Sequence, residues 1–256
     1  MRIVVKVGTT TLAHATGKMN IRHVEELVKA LSDIKNDGTE VVLVSSGAIG
    51  MGCGKLNLAS RPADMATKQA AAAVGQCELM YSYDKLFSEY SHTVAQILLT
   101  GEDFDDEARR ANFENTLSRL LERGVVPVIN ENDTVATQEI AVGDNDTLSA
   151  LVAVSAKADL LILLSDIDGL YTANPHTDPT AKLIPLVDEI TPEIESLGGK
   201  SDSKLGTGGM QTKIKAAKIV TERGIDMVIL NGSNPALLYD VLEGKETGTR
   251  FRGKKL

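Results

Sequence analysis

Six short, nearly continuous apolar stretches punctuate the chain: "RIVVKV" (2–7), "EVVLVS" (40–45), "TVAQILLT" (93–100), "VVPVIN" (125–130), "DLLILLS" (159–165) and "DMVILN" (226–231). Runs of this length, rich in Val, Ile and Leu and without strict alternation, read as strands buried on both faces. Between them, apolar residues recur at helical spacing over 21–37, 63–90, 105–124, 145–158 and 209–224. Strand and helix alternating in this order predict right-handed crossovers and an α/β fold, a mostly parallel, doubly wound sheet with helices on both faces. No internal repeat or Pro/Ser-rich linker breaks the pattern, which predicts one compact unit.

Composition refines this picture. The 256 residues are 43% hydrophobic but only 4% aromatic, with no tryptophan, so the core is aliphatic. Net charge is −8, and the only basic run is the terminal "RFRGKK", which argues against a nucleic-acid-binding surface. A polyanionic ligand would need local attraction from particular lysines, helix N-termini or a metal ion. Cys53 and Cys77 are the only cysteines and lack metal-ligand spacing, so neither a zinc site nor a disulfide framework is expected. The N-terminal apolar run is too short for a signal peptide and no later run reaches transmembrane length. The expectation is a cytoplasmic protein with no membrane association.

In a doubly wound sheet, ligands bind beyond the carboxyl ends of the strands. Those ends read "GTT" after 2–7, "SGAIGMGCG" after 40–45, "ENDT" after 125–130, "DIDGLY" after 159–165 and "NGSN" after 226–231. Turn chemistry accounts for the glycines, but not for Lys6, inside the first strand. Lys6 is either a charge guarding an edge strand or a phosphoryl ligand aimed at Gly8-Thr9-Thr10. "GTGGMQTK" (206–213) joins a flexible backbone to Lys213, a combination suited to phosphate. It is not a Walker A loop, because Thr212 stands where glycine must precede the lysine; "GTRFRGKK" fails too, ending in Lys255 where a hydroxyl is needed. "VSSGAIGMG" (44–52) reads as a strand-to-helix turn able to cradle a small anion. The stretch 130–150 holds Glu131, Asp133, Glu139, Asp144 and Asp146 before a helix that Asn145 or Asp146 is expected to cap. Those carboxylates could hold an ammonium group, hold magnesium or orient lysines. "SDIDGLYTANPHTDP" (165–179) offers Ser165, Asp166, Asp168, Tyr171 and Asn174, either to a nucleotide's base and ribose or as a surface turn.

In order, these segments resemble the amino acid kinase family. The resemblance is carried by "VVKVGTTTL", "VSSGAIGMG", "KQAAAAVGQ", "QILLTGEDF", "NENDTVA", "GDNDTLSA", "LLSDIDGLYTANP" and "GTGGMQTKIKAA", and spans nearly the whole chain. "NEND…GDND" followed by "GTGGM" points within the family to members acting on L-glutamate, rather than on acetylglutamate, aspartate, carbamate or uridylate. The resemblance implies a three-layer αβα sandwich in one domain, with an acceptor lobe over about 1–155 and an ATP lobe over about 156–256. It implies ATP-dependent phosphorylation of the glutamate side-chain carboxylate, Mg²⁺ accompanying ATP, proline as a possible inhibitor, and a homo-oligomer. Carried over by motif, Lys6 and Lys213 stabilise the transferring phosphoryl group and Asp146 holds both. Ser46, Asp133 and Asn145 bind glutamate. Ser165, Asp166 and the stretch Thr207, Gly208, Gly209, Met210, Gln211, Thr212 and Lys213 bind ATP, and no residue is assigned as a dedicated metal ligand. On the family pattern a C-terminal PUA domain, carried by many members, would begin where this sequence ends at Leu256, so a kinase domain without it is expected. Kinases of other small acids and a non-catalytic amino-acid or nucleotide sensor are the alternatives. The first turns on whether the acceptor carries a free ammonium, and the second is opposed by retention of both lysines.

Overall fold

The computed structural model describes residues 1–14, 16–137, 142, 144–175, 177–199 and 209–255. All six predicted strands form, as β1 (Arg2–Val7), β2 (Glu40–Ser45), β3 (Val94–Leu99), β4 (Val126–Glu131), β5 (Leu160–Ser165) and, after the two-residue β6 (Leu186–Val187), β7 (Asp226–Asn231). With β8 (Thr249–Phe251) they make an eight-stranded sheet in the order β3-β4-β2-β1-β5-β7-β8-β6, parallel at every pairing except β7 with β8. The long helices are α2 (Ile21–Asn36), α4 (Met65–Ser88), α6 (Glu107–Glu122), α7 (Asn145–Ser155) and α9 (Met210–Thr221). Shorter ones are α1 (Thr9–Leu12), α3 (Ala48–Lys55), α5 (Glu102–Asp105), α8 (Pro192–Ser196) and α10 (Leu237–Leu242).

Side chains alternate across a strand, so each face of the sheet collects its own core. Ile3, Val5 and Val7 pack with Leu27 and Leu31 of α2, Leu79 and Phe87 of α4, and Leu238 of α10. Val4, Val44, Leu161 and Leu163 pack on the opposite side with Leu117 of α6, Leu148 of α7 and Val220 of α9. The result is the expected αβα sandwich. β1 is its central strand, bonded to β2 on one side and β5 on the other. The chain turns one way from β1 into β2, and β5 adds on the other side, so the switch point lies at the carboxyl end of β1.

This placement corrects the edge-strand reading of Lys6. Its neighbours are Val44 and Leu163, and there is no free edge for it to guard. Period two instead turns it to the face of Val4, toward α7 and α9. A second feature is α3, which forms in the segment expected as a strand-to-helix turn although its glycines disfavour helix. Gly47 opens it at φ +105°, and the glycines then permit contact at backbone distance. A Cβ at Gly52 would lie 1.8 Å from the Ala71 carbonyl oxygen, and one at Gly75 would lie 1.8 Å from that of Ala48. Close packing on α4 outweighs the propensity.

Candidate active site

At the switch point three elements deliver charge to one spot. Lys6 arrives from β1, Asp146 from the first turn of α7 and Lys213 from the first turn of α9. Asp146 Oδ1 lies 2.7 Å from Lys6 Nζ, and Oδ2 lies 3.1 Å from Lys213 Nζ. The Lys6 contact is close in distance but does not align as a hydrogen bond; Lys213 donates one to Oδ2. The Thr212 hydroxyl sits 2.7 Å from the same Oδ2 and 2.8 Å from the Gly209 carbonyl. Relative exposures are 8% for Lys6, 6% for Lys213 and 1% for Asp146. Burial alone would raise the Asp146 carboxyl; the two ammonium groups and the Thr212 hydroxyl outweigh it and hold the group at about 2. With both lysines protonated the cluster carries one net positive charge in a largely desolvated place.

The N-terminus of α9 faces this cluster without a cap of its own. Gly209 occupies the capping position and supplies no side-chain acceptor, so among the described residues no side chain caps the first turn, Met210 to Thr212, whose N–H groups are of the kind that receive an anion. Thr207 and Gly208, assigned to the same loop, lie outside the described residues, as does Glu139. Ser165 ends β5 next to β1, and its hydroxyl donates to the exposed Asp166 at 3.2 Å. Asp168 joins the ends of β5 and β7, accepting from Asn231 at 2.6 Å and from Tyr171 at 3.0 Å.

A second group lies beside the first. The Asn145 side-chain amide is 2.8 Å from Ser46 Oγ and 3.2 Å from the Ser45 carbonyl, tying the start of α7 to the end of β2. Asp133 stands just past β4 and makes no hydrogen bond with Ser46 or Asn145 among the described residues. Burial, and then the charge of Glu131, push its carboxyl up to about 6, with Arg61 opposing weakly. An ionised Asp133 is thus under-compensated in the ligand-free protein.

The cap of α7 is neither Asn145 nor Asp146. Asp144 takes that role, accepting from the Thr147 amide at 2.7 Å and the Thr147 hydroxyl at 2.9 Å. Because it does so, Asn145 and Asp146 are left to face β2 and the lysines. Two participants had no signal of their own in the sequence. Asn130 and Gln76 are buried polar side chains that continue the hydrogen bonding of Asn145 into the protein.

The profile of the amino acid kinase family matches residues 1–231. The chain belongs to the amino acid kinase family. Relatives within the family named glutamate 5-kinase include those of Clostridium tetani, 54% identical over 99% of this chain and 95% of its own length, and Clostridium perfringens, 52% identical over 99% and 96%. That of Listeria innocua is 51% identical over 99% of this chain and 94% of its own. Among solved structures, a UMP kinase from Bacillus anthracis superposes with a TM-score of 0.68 at 15% identity, covering 99% of this chain and 96% of that one. An isopentenyl phosphate kinase from T. acidophilum gives 0.67 at 18%, covering 98% and 100%. At these identities the shared property is the amino acid kinase fold, with its parallel sheet.

Proposed function

We propose that this chain is a glutamate 5-kinase, transferring the γ-phosphoryl group of ATP to the side-chain carboxylate of L-glutamate in the first step of proline biosynthesis. The observation that carries the reading is the buried Lys6–Asp146–Lys213 cluster beside the uncapped N-terminus of α9. The half-identical relatives support glutamate as acceptor.

The acceptor carboxylate has an ordinary pKa of about 4.3 and is already ionised at neutral pH. No general base is required. The difficulty is to bring one anion against another and to stabilise charge on the equatorial oxygens during in-line transfer. A carboxylate oxygen forms a bond to phosphorus, the bond to the β,γ-bridging oxygen breaks, and ADP departs with the electron pair; no proton moves. Lys6 and Lys213 meet the developing charge, and Asp146 fixes them so that little reorganisation accompanies the transfer. The α9 amides and Gly209 hold the phosphates, Ser165 and Asp166 face the nucleoside, and Ser46, Asn145 and Asp133 hold glutamate. Ser46 and Asn145 belong to an acceptor lobe, and α9 to an ATP lobe.

No group of three metal-ligating side chains occurs among the described residues. A magnesium ion carried on the nucleotide's phosphates retains water and needs few protein ligands. Bound there, Mg²⁺ would supply further neutralisation of phosphate charge. No described helix is long and apolar enough to cross a membrane. Incubation with ATP, Mg²⁺, hydroxylamine and a panel of amino acids tests the reading. The expected outcome is a hydroxamate with L-glutamate and none with acetylglutamate or aspartate; a different acceptor would overturn it.

A further inference from the structure

Resting on that reading, we infer that Gln76 is a positioning residue for the acceptor: through Asn130 it fixes which end of the Asn145 amide meets glutamate. Four side-chain amides form one chain. Asn145 Nδ2 lies 2.9 Å from Asn130 Oδ1, Asn130 Nδ2 donates to Gln76 Oε1 at 3.0 Å, and Gln76 Nε2 donates to Gln96 Oε1 at 3.3 Å. Asn130 and Gln76 are buried, at 2% and 7% exposure, whereas Gln96 lies exposed on the edge strand β3.

The polarity of this chain follows from backbone groups, whose chemistry is unambiguous. The Glu131 N–H donates at 2.9 Å to Asn130, so the atom it meets must be the oxygen. Asn130 therefore presents its NH₂ to Gln76, which must accept with Oε1 and donate onward with Nε2. At the other end the Ser45 carbonyl can only accept, so the Asn145 atom 3.2 Å away is the NH₂. That NH₂ has two hydrogens and three acceptors within reach: Ser45 O, Ser46 Oγ and Asn130 Oδ1. It has nothing left for a ligand. Asn145 Oδ1, in contrast, accepts no hydrogen bond among the described residues. Asn145 thus offers an acceptor only, complementary to an ammonium and not to a carboxylate. Asp133, also an acceptor, complements the same group.

Gln76 closes the arrangement because it is the buried partner that consumes the Asn130 NH₂. Without it, Asn130 gains nothing from its present orientation beyond the Glu131 N–H, and the Asn145 amide loses a fixed acceptor. The polarity would then be held by Ser45 and Ser46 alone.

Gln76→Met keeps length and helix propensity while deleting both hydrogen bonds; Gln76→Glu retains the acceptor for Asn130. In Gln76→Met the glutamate KM should rise about tenfold, with ATP KM within about twofold of wild type. Gln76→Glu should return glutamate KM to within about threefold of wild type. A structural role alone would lower thermal stability and move both KM values together, or neither, and that result overturns the inference. If Gln76→Met does not fold, Gln96→Met removes the outer anchor at an exposed position. It should raise glutamate KM about threefold with ATP KM unmoved, and an unchanged glutamate KM overturns the inference. Wild-type enzyme that fails to turn over glutamate would refute the glutamate reading itself. Normal wild-type turnover with an unaltered Gln76→Met would refute only the role of Gln76.

Discussion

Asp146 shares its carboxylate between two ammonium groups, and substitutions at the three positions should therefore differ in kind. Lys213→Ala leaves a neutral Lys6–Asp146 pair, so the fold should persist while kcat falls by roughly 10²–10³, with glutamate KM changing far less. Steady-state kinetics on the purified variant check this. Asp146→Asn leaves two buried cations without a counter-ion, so it should lose activity and also about 3 kcal/mol of stability, read by denaturant unfolding. Asp133 obeys another logic. Its raised carboxyl means that ionising it costs the ligand-free protein, a cost absent below the ordinary value of 3.8 and fully present above about 6. Glutamate's ammonium should relieve that cost. Asp133→Asn is thus expected to raise the melting temperature of ligand-free enzyme at pH 8 while raising glutamate KM about tenfold or more. In wild type, glutamate KM should climb as pH falls through about 6; in Asp133→Asn that climb should vanish. Proline also carries an ammonium, so a weaker proline inhibition should accompany the same substitution.

Among elements, α7 shows most clearly what a sequence reveals and what it hides. The run "GDND" contains three side chains competent to cap, and spacing alone does not choose between Asp144, Asn145 and Asp146. The choice is made by the lysines: Asp146 is claimed by β1 and α9, Asn145 by β2, and Asp144 remains for Thr147. Asp144→Ala should accordingly cost about 1 kcal/mol, a fall of about 2–4 °C in melting temperature, without the catalytic collapse of Asp146→Asn. Differential scanning calorimetry beside a kinetic assay separates the two. For α3 the sequence misleads, because glycine propensity is a local property and the contact that rewards it, with α4, lies about twenty residues away. Likewise Gln76 closes an alanine-rich motif that reads only as helix; its partners Asn130 and Gln96 come from two strands, β4 and β3.

At the scale of the molecule, five of the six long strands were legible because burial on both faces writes them as unbroken apolar runs; the partly exposed edge strand β3 was legible because only Gln96 interrupts its apolar residues. β6 and β8 were not: with two and three residues they are too short to show a period, and β8 is held by Thr249, which donates to the Ile184 carbonyl and accepts from the Leu170 amide. Lys6 stood out as a charge inside an apolar strand, Lys213 as the charge closing a Gly/Thr-rich loop and Asp146 as one of five carboxylates in one stretch, whereas their meeting point depended on sheet order. That meeting point also sets the response to acid. Asp146 is held at about 2 against an ordinary 3.8, so the stability it confers is complete above the ordinary value and disappears as pH falls through about 2. Wild type should therefore lose stability over this window, and the contribution should be absent from Asp146→Asn, as equilibrium denaturation at a series of pH values would reveal.

The central position of β1 has a consequence for biosynthesis. β1 is made before both its neighbours: β2 follows quickly, but the other edge pairs with β5, and Arg2 meets Asp159 across 157 positions of sequence. Roughly 120 residues separate the ends of β2 and β5, which is about 6–24 s of translation. Throughout that interval a Val- and Ile-rich strand shows an open edge to every other nascent chain. Lys6 is its one charged interior residue, and a charge within an apolar strand disfavours pairing with foreign strands while that edge is unfilled. Lys6→Met should then do more than silence the enzyme. It should move newly made protein from the soluble to the insoluble fraction during expression, to a greater degree than Lys213→Ala, whose lysine lies on a helix made later.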